Sequence, residues 1–560
     1  MPIVPLLVVL LVLPAHAFAA WGAHGMVAAD HRLASLAGVE MLHRGGNAID
    51  ATAAAAFAVG VVNPASCGIG GGGFMLIYRG RTRQAVALDY RERAPDAAWR
   101  DMFVRDGKAV ADLSRRGGLA VAVPGEVAGL AAAVRRYGRL PLATVLQPAI
   151  RYARDGFAIE PHLAEEIAEA ASELHADPAL ARTFLHPDGS PRRAGEIVRQ
   201  PELAATLQHI ADAGPAAFYR GAIAARIARS VQSAGGVLTA DDLAQYRPKW
   251  RRPLRGGHRG ATVIAMPPPS SGGGVLLEIL GILRHDDLAT LRHNSPTYLH
   301  LLAEAMQDGF ADRARFYGDP DFVRVPLAEL LAPANTLALR RRLRASGTLG
   351  HDEYGSPIGH SARGRAAAAD AGTSHVSAMD ADGNAVACTT TINTAFGAML
   401  VAGDTGIILN NEMDDFSAQP GVPNVYGLIG AEANAIAPRK RPLSSMTPVI
   451  VVRDHEAILA AGGSGGPLII SATAEVLLNI LDFGMDATTA VAAPRVHHQW
   501  TPAVLTVEPG IPALTRQALA RCGHVVKEMP DMGAVQAVRR TAGVFEGAAD
   551  PRKGGEAAGW

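Results

Sequence analysis

The sequence predicts an α+β protein, and two observations support this fold class. Before about residue 370 apolar residues recur mainly at helical spacing, whereas after it they alternate at the two-residue spacing of strands. A chain of 560 residues is too long for one ordinary core, so two domains or one large sandwich are expected. Periodicity alone does not decide whether the change near residue 370 is a domain boundary.

Composition excludes several classes of protein. The chain is 49% hydrophobic and 19% charged, which is typical of globular proteins and not of disordered ones. Its 53 basic and 53 acidic residues balance, so no overall field attracts nucleic acid or an anionic membrane. Three cysteines without a CxxC pair, Cys67, Cys388 and Cys522, argue against a disulfide framework and a thiolate zinc site.

The N-terminus resembles an export signal. Residues 6–13 form an unbroken apolar run, which is shorter than the roughly 20 residues that span a bilayer. Two A-x-A cleavage patterns follow at residues 15–17 and 17–19. We therefore predict that residues 1–19 are a signal peptide and that the mature protein is periplasmic or secreted, without a membrane span. The alternative is a buried N-terminal strand, since this segment contains no lysine or arginine.

Helices are predicted mainly in the first part of the chain. Residues 30–58 have helical spacing with a break at Gly45-Gly46-Asn47, and 124–137 and 141–154 each have proline at the start. Residues 296–317 form a further amphipathic helix, and 267–274 are a Pro/Gly/Ser-rich turn.

Strands are predicted in the second part. Residues 374–379 and 385–392 alternate on either side of Asp382-Gly383, which is a hairpin signal. Two further strands, 448–452 and 457–460, flank a short turn, and 504–507 is another. A helix over 467–481 follows a glycine-rich turn. Before the first hairpin, residues 360–372 carry no large apolar side chain and end at Gly372.

Thr373 follows this segment, and its position suggests a specific chemistry. Threonine in a loop is commonly a turn or cap residue. If the chain were cut before Thr373, the new α-amine, which titrates near 8, could accept the proton of the threonine's own hydroxyl. Gly372 would permit the strained turn that an N-to-O acyl shift requires.

Seven strings, in order along the chain, resemble the gamma-glutamyltransferase family, also called gamma-glutamyl transpeptidase or glutathione hydrolase. Singly the glycine-rich strings are weak signals, but together they are specific. They are NPASCGIGGGGF at 63–74, DYRE at 89–92, MPPPSSGG at 266–273, DGNAV at 382–386, NNEMDDF at 410–416, PLSSM at 442–446 and GSGG at 463–466.

The resemblance implies an N-terminal-nucleophile hydrolase fold, a four-layer αββα sandwich with two stacked sheets between helical layers. It implies self-cleavage between Gly372 and Thr373 into a large chain, 20–372, and a small chain, 373–560, which remain together as a heterodimer. Thr373 would be the nucleophile, with Thr391 hydrogen-bonded to it. The N–H groups of Gly465 and Gly466 would form the oxyanion hole.

The resemblance also implies a pocket for the free amino-acid end of a gamma-glutamyl group. Arg91 would bind the α-carboxylate bidentately, with hydroxyl bonds from Ser444 and Ser445. The residues assigned to the α-ammonium are Asn393, Glu412 and Asp415. Such a pocket would reject substrates that lack either charge.

A lid is expected over this pocket. Residues 420–430, with Tyr426, resemble the loop that closes over the acyl-enzyme in some members of the family. Since members without the lid include enzymes for larger acyl groups, the lid favours small gamma-glutamyl donors.

Each assignment has a simpler alternative. Arg91 could form a surface ion pair, Asp414-Asp415 a solvated turn, and Ser444-Ser445 a helix cap. The glycines at 70–73 lack the Gly-Lys-Ser/Thr of a phosphate loop. The adjacent side chains of His497-His498 point apart in an extended segment, so we expect a structural role there and no metal site.

The predicted function is gamma-glutamyl acyl transfer without a cofactor. The donor would be glutathione or another gamma-glutamyl compound, and the acceptor water, an amino acid or a peptide. The first alternative is a related acylase acting on glutaryl or cephalosporin-type amides. The second, from a different class, is an exported binding protein that has lost catalysis.

Overall fold

The structure is a computed structural model that describes residues 19–357 and 372–560. The predicted signal peptide, except Ala19, and most of the apolar-poor segment 360–372 lie outside the described residues. No helix within the described ranges is long and apolar enough to cross a membrane.

The strands of the described ranges are β1 Ala20–Gly22, β2 Gly25–Ala29, β3 Gly72–Arg79, β4 Gln84–Tyr90, β5 Val104–Arg105, β6 Lys108–Ala109, β7 Phe157–Ala158, β8 Ile197–Val198, β9 Lys249–Arg251, β10 Leu254–His258, β11 Ala261–Ala265, β12 Thr373–Asp380, β13 Ala385–Thr391, β14 Val449–Arg453, β15 Glu456–Ser464, β16 Val496–His497, β17 Leu505–Val507, β18 Val526–Glu528, β19 Ala534–Thr541, β20 Val544–Ala548 and β21 Glu556–Gly559.

The α-helices of the same ranges are α1 Arg32–His43, α2 Ala48–Val62, α3 Ala111–Arg115, α4 Glu126–Tyr137, α5 Leu142–Asp155, α6 Pro161–Leu174, α7 Pro178–Phe184, α8 Pro201–Ala213, α9 Ala216–Tyr219, α10 Ala222–Ser233, α11 Ala240–Gln245, α12 Gly272–Leu283, α13 Pro296–Phe316, α14 Leu327–Leu330, α15 Pro333–Arg342, α16 Leu468–Leu481, α17 Ala487–Ala492 and α18 Ala513–Arg521.

Two seven-stranded antiparallel sheets form the centre of the fold. Their strand orders are β1-β20-β19-β15-β14-β11-β10 and β21-β2-β12-β13-β3-β4-β9. Each sheet contains strands from both sides of Gly372, because β2 pairs with β12 and β11 pairs with β14. The change of periodicity near residue 370 is therefore not a domain boundary, and both parts share one fold.

The sheets are stacked between two layers of helices. Phe74 and Met379 of one sheet and Ile450 and Val538 of the other belong to a single buried cluster between the sheets. Helices α1, α2 and α4 pack against the outer face of the sheet that contains β12, and α5 packs on α2. Helices α12 and α16 pack against the outer face of the other sheet, and α13 packs on α12. This four-layer αββα sandwich confirms the predicted fold.

The predicted helices near the N-terminus are confirmed, including the break between them. Asn47 caps α2, since its side chain accepts hydrogen bonds from the N–H groups of Ile49 and Asp50. The Asp50 carboxylate in turn accepts the N–H of Asn47, which completes a capping box. The hairpin signal at Asp382-Gly383 is also confirmed, because it joins β12 to β13.

Several strands of the first part were not predicted from the sequence: β3, β4, β10 and β11. The start of β3 lies in the glycine run at 70–73, which has the composition of a turn. Gly73 pairs with Thr390, and a Cβ at Gly73 would lie 2.2 Å from the carbonyl oxygen of Thr389. Glycine here permits close approach of two backbones rather than a turn.

Glu126, in the first turn of α4, gives the fold a predictable pH dependence. The side chain is buried, and its Oε2 accepts a 2.6 Å hydrogen bond from Thr390 on β13. Burial raises the pKa of Glu126 from 4.5 to about 8. Because the unfolded carboxyl ionises near 4.5, the free energy of unfolding falls as pH rises from 4.5 to 8.

Replacing Glu126 by glutamine should remove this fall in the free energy of unfolding with rising pH. The amide keeps the hydrogen-bond acceptor for Thr390 and carries no ionisable proton. We expect Glu126→Gln to be more stable than the wild type at pH 8 by roughly 2–4 kcal/mol, and nearly equal to it at pH 4.5. Urea unfolding at both pH values measures this, with the exposed Glu165→Gln as the control. An equal stability difference at the two pH values would contradict the prediction.

Candidate active site

Thr373 and Thr391 face each other at the end of the β12–β13 hairpin, where they are paired in register. Their hydroxyl oxygens are 3.2 Å apart. Thr391 donates its hydroxyl hydrogen to the carbonyl oxygen of Gly372 at 2.6 Å and accepts the N–H of Asn393 at 2.8 Å. Since the one hydrogen of Thr391 is used on Gly372, Thr373 is the donor between the two hydroxyls. The Thr373 hydroxyl is thus held beside the Gly372–Thr373 peptide bond.

Gly372 occupies a conformation that favours glycine. Its φ is 88°, in the left-handed region. A Cβ at this position would lie 2.4 Å from the carbonyl oxygen of Asn393. A larger residue would therefore strain the backbone immediately before Thr373.

Gly465 and Gly466 connect β15 to α16, with φ values of 127° and 53°. Within the described ranges their N–H groups donate to no acceptor, whereas their carbonyls accept from Leu468 and Ile469 in the first turn of α16. Free N–H groups at a helix N-terminus carry partial positive charge. They suit an oxygen that becomes negative during a reaction.

Arg91 lies fully inside the protein and contacts three carboxylates, of which Glu92 lies 3.6 Å from its Nη1. Its Nη1 forms an ion pair with Glu412 and its Nη2 with Asp415, while Nε donates to the carbonyl of Pro442 at 3.2 Å. Burial lowers the pKa of the guanidinium, but Glu412, Asp415 and Glu92 outweigh it and raise the pKa above its usual range. Burial raises the pKa values of Glu412 and Asp415, and Arg91 opposes this shift. Opposite charges therefore lie side by side within a buried site.

One small cavity brings most of the predicted site residues together. The predicted residues in its lining are Arg91, Thr373, Thr391, Asn393, Glu412, Asp415, Tyr426, Ser444, Ser445 and Gly466. Gly372 and Gly465 are the chain neighbours of two of these. The surface ion pair, the solvated turn and the helix cap are wrong. Arg91 and Asp414 are buried and Asp415 is only 12% exposed, and no α-helix follows Ser445 directly.

Tyr426 is one of the residues that line the cavity. Its hydroxyl lies 2.8 Å from the carbonyl oxygen and 2.9 Å from the side-chain oxygen of Asn393, both of which can accept its hydrogen. Its ring lies close to Gly466, where a Cβ would approach Tyr426 Cδ1 to 2.8 Å. The segment with Tyr426 therefore contacts both the strand end and the glycine turn of the site.

Two basic residues of the site were not predicted from the sequence. Lys553 donates to the carbonyl of Thr373 and forms an ion pair with Asp30 at 3.2 Å. Arg313 on α13 donates to Ser445 Oγ at 3.2 Å, and burial lowers the pKa of Arg313 to about 10. Neither residue lies in a motif that indicates this site, so only the tertiary structure locates them.

The histidine pair 497–498 lies elsewhere. His497 contacts the hydroxyl of Ser471 at 2.7 Å and the side-chain oxygen of Gln499 at 3.0 Å. Burial lowers the pKa of His497 to about 4. His498 accepts the N–H of Trp500 at 3.1 Å. These contacts are consistent with the structural role expected for the pair.

Comparisons with known proteins agree with this geometry. Residues 34–560 match the family described as Gamma-glutamyltranspeptidase. The chain is 42% identical over 531 residues to a glutathione hydrolase proenzyme of Escherichia coli, covering 94% of this chain and 90% of that protein. It is 40% identical over 543 residues to a glutathione hydrolase proenzyme of Pseudomonas aeruginosa, covering 96% of this chain and 94% of that protein.

Among solved structures, a cephalosporin acylase from Bacillus halodurans superimposes with a TM-score of 0.86 at 30% identity, covering 98% of both chains. Fold, buried site and sequence similarity over nearly the whole length agree with one another. The chain belongs to the gamma-glutamyltranspeptidase family.

Proposed function

We propose that this protein cleaves itself before Thr373 and then transfers gamma-glutamyl groups from glutathione and related compounds to water, amino acids or peptides. The observation that carries the proposal is that the Thr373 hydroxyl lines the same buried cavity as Arg91, Glu412 and Asp415. A nucleophile and a set of charges complementary to an amino-acid head group share one site.

In the self-cleavage step, Thr373 Oγ1 attacks the carbonyl carbon of Gly372. The C–N bond breaks, the Thr373 nitrogen gains a proton, and an ester forms on the hydroxyl oxygen. Thr391 supports this step, because its hydroxyl already donates to the carbonyl oxygen that becomes negative. Water then hydrolyses the ester and leaves Thr373 with a free α-amine.

In the transfer step, this amine takes the proton of the Thr373 hydroxyl as the oxygen attacks the gamma-amide of the donor. The N–H groups of Gly465 and Gly466 stabilise the oxyanion. The donor's amine leaves with the proton, and the gamma-glutamyl ester remains on Thr373. Water or an acceptor amine completes the reaction by attacking this ester.

Donor recognition would exchange one set of ion pairs for another. The substrate α-carboxylate would bind Arg91, Ser444 and Ser445. Its α-ammonium would bind the remaining residues of the charged site, Asn393, Glu412 and Asp415. Without a donor, Arg91 pairs with Glu412 and Asp415. When the zwitterion binds, its carboxylate takes their place beside Arg91 and its ammonium pairs with them, so no buried charge is left unpaired.

The acylase alternative is favoured by the similarity to the cephalosporin acylase. A glutaryl group has the chain length of a gamma-glutamyl group but lacks the α-ammonium. We therefore expect the wild type to hydrolyse gamma-glutamyl anilides well and glutaryl anilides poorly. Asp415→Ala should lower kcat/KM for the gamma-glutamyl substrate by roughly 30- to 5000-fold, because loss of one partner of a buried charge pair costs about 2–5 kcal/mol.

Steady-state kinetics on both anilides measure this effect. The exposed Asp404→Ala is the control, because Asp404 is absent from the cavity lining. A wild type that prefers the glutaryl substrate, with activity insensitive to Asp415→Ala, would support the acylase instead. The binding-protein alternative would require a lost nucleophile or oxyanion element, and both are present.

Two-chain maturation and export are part of the proposal. We expect the mature heterodimer to consist of a large chain ending at Gly372 and a small chain starting at Thr373, after removal of residues 1–19. The apolar run and A-x-A patterns support export to a periplasm or to the exterior. A mass spectrum of the secreted protein reports both cleavage points.

A further inference from the structure

Three buried side chains outside the active-site cavity form a second cluster of chemically active groups. His300 and Glu304 lie four residues apart on one face of α13, and His524 lies between α18 and β18. Each offers one ligand atom, and these atoms all lie within 4.8 Å of one another. Their exposed fractions are 1%, 0% and 5%.

The hydrogen bonds around His300 fix its orientation. Its Nε2 lies 3.0 Å from the carbonyl oxygen of Arg344, so Nε2 carries the ring hydrogen. Nδ1 therefore carries no hydrogen, and its lone pair points toward Nε2 of His524. The two nitrogens are 2.8 Å apart. Within the described ranges, Nδ1 of His524 has no hydrogen-bond partner.

Glu304 is held in a similar way. Its Oε1 accepts hydrogen bonds from the hydroxyl of Tyr354 at 2.7 Å and from Nε2 of Gln307 at 2.8 Å. Its Oε2 is buried and has no hydrogen-bond partner among the described residues. The carboxylate is therefore fixed on one side and unsatisfied on the other.

His300 and Glu304 already make the supporting bonds that metal ligands require, whereas Nδ1 of His524 has no such partner among the described residues. A metal-binding histidine donates its other ring N–H to a carbonyl or carboxylate, and a metal-binding carboxylate is itself hydrogen-bonded. We propose that His300 Nδ1, His524 Nε2 and the Glu304 carboxylate bind one divalent transition-metal ion of the zinc type. Two imidazoles and a carboxylate suit zinc or cobalt better than calcium or magnesium, which prefer oxygen ligands alone.

The two imidazole nitrogens lie close to the spacing that a metal site needs. Two nitrogen ligands at about 2.0–2.1 Å from a tetrahedral zinc ion lie roughly 3.3 Å apart. The two imidazole nitrogens are 2.8 Å apart. The rings must therefore separate by about 0.5 Å, and the Glu304 oxygen, which lies within 4.8 Å of the other two ligand atoms, must approach them to complete the site. The competing interpretation is a plain hydrogen bond in which His524 donates to His300.

A metal here would connect parts of the molecule that the proposed self-cleavage separates. His300 and Glu304 belong to the proposed large chain and His524 to the small chain. The same helix carries Arg313, which contacts Ser445 in the active site. The metal would therefore stabilise the cleaved heterodimer. This stabilising role rests on the proposed function, whereas metal binding does not.

Metal binding can be measured on the intact protein and on uncleaved Thr373→Ala. After chelator treatment and dialysis, we expect one equivalent of Zn²⁺ to bind by calorimetry and to raise Tm by several degrees. Co²⁺ should give the visible absorption of a four-coordinate site. Binding by Thr373→Ala separates this test from the proposed activity, because that variant needs neither cleavage nor turnover.

Two variants distinguish a metal site from a hydrogen bond. His524→Gln retains an N–H donor for His300, and Glu304→Gln retains the acceptor for Tyr354 and Gln307. Each should bind Zn²⁺ at least about 100-fold more weakly, because loss of a mere supporting bond already weakens binding by roughly 10- to 100-fold. The exposed His209→Gln is the control.

Unchanged Zn²⁺ affinity in both variants, or no bound equivalent and no Tm shift in the wild type, would overturn the proposal in favour of the hydrogen bond. If either variant failed to fold, the Co²⁺ spectrum of the wild type would decide between the metal site and the hydrogen bond. A four-coordinate spectrum supports the metal site, and a six-coordinate spectrum or no spectrum contradicts it. This proposal departs from the expectation, based on sequence alone, that the protein has no metal site.

Discussion

Replacing Thr373 by alanine is expected to leave the chain in one piece and to lower gamma-glutamyl transfer by about 10⁴-fold or more. The hydroxyl of Thr373 is the only group proposed to form a covalent bond in both self-cleavage and transfer. Intact mass and turnover of a gamma-glutamyl anilide measure the two effects in one preparation. Thr373→Ser should still be cut, since it keeps the hydroxyl.

Ser374→Ala is the matched control for this experiment. Ser374 is the next residue, is equally buried, and also carries a hydroxyl. The Ser374 side chain does not line the cavity. We expect Ser374→Ala to mature and turn over normally. Two fragments and full activity from Thr373→Ala would refute the proposed nucleophile.

Replacing Arg91 by lysine should lower kcat/KM for gamma-glutamyl substrates by roughly 100- to 1000-fold, mainly through KM. Lysine cannot bind a carboxylate bidentately, and its single ammonium cannot contact Glu412 and Asp415 as the two Nη atoms do. Steady-state kinetics give the split between KM and kcat. Retained self-cleavage will show that the fold is intact.

Arg93→Lys is the control for Arg91, because Arg93 lies two residues further along the chain and does not line the cavity. Its nearest carboxylate, Asp96, is 3.9 Å away. We expect near wild-type kinetics from this variant. Equal losses from Arg91→Lys and Arg93→Lys would indicate a general structural effect and contradict the assignment of Arg91 to the substrate carboxylate.

Much of the local structure could be predicted because local physics dominates there. The capping box at Asn47 and the turn at Asp382-Gly383 are encoded within a few residues, so α2 and the β12–β13 hairpin follow from the sequence. The hairpin also brings Thr373 opposite Thr391. The order of the short motifs indicated the family resemblance, and that resemblance indicated the other site residues.

Other strands could not be predicted, because their signals are not local. The start of β3 is glycine-rich, and glycine is depleted from most strands. Gly73 lies in a strand because β13 approaches it too closely for any side chain. That constraint depends on a partner more than 300 residues away in the chain, which no periodicity reveals.

The sequence by itself determined the fold class, the main helices, the hairpin that carries Thr373 and the residues of the charged pocket. Only the tertiary structure decided that one fold spans Gly372, that Arg91 pairs with Glu412 and Asp415, and that Lys553 and Arg313 adjoin the site. The physical reason is distance along the chain. Caps and turns depend on neighbouring residues, whereas buried charges and strand pairings depend on residues that only folding brings together.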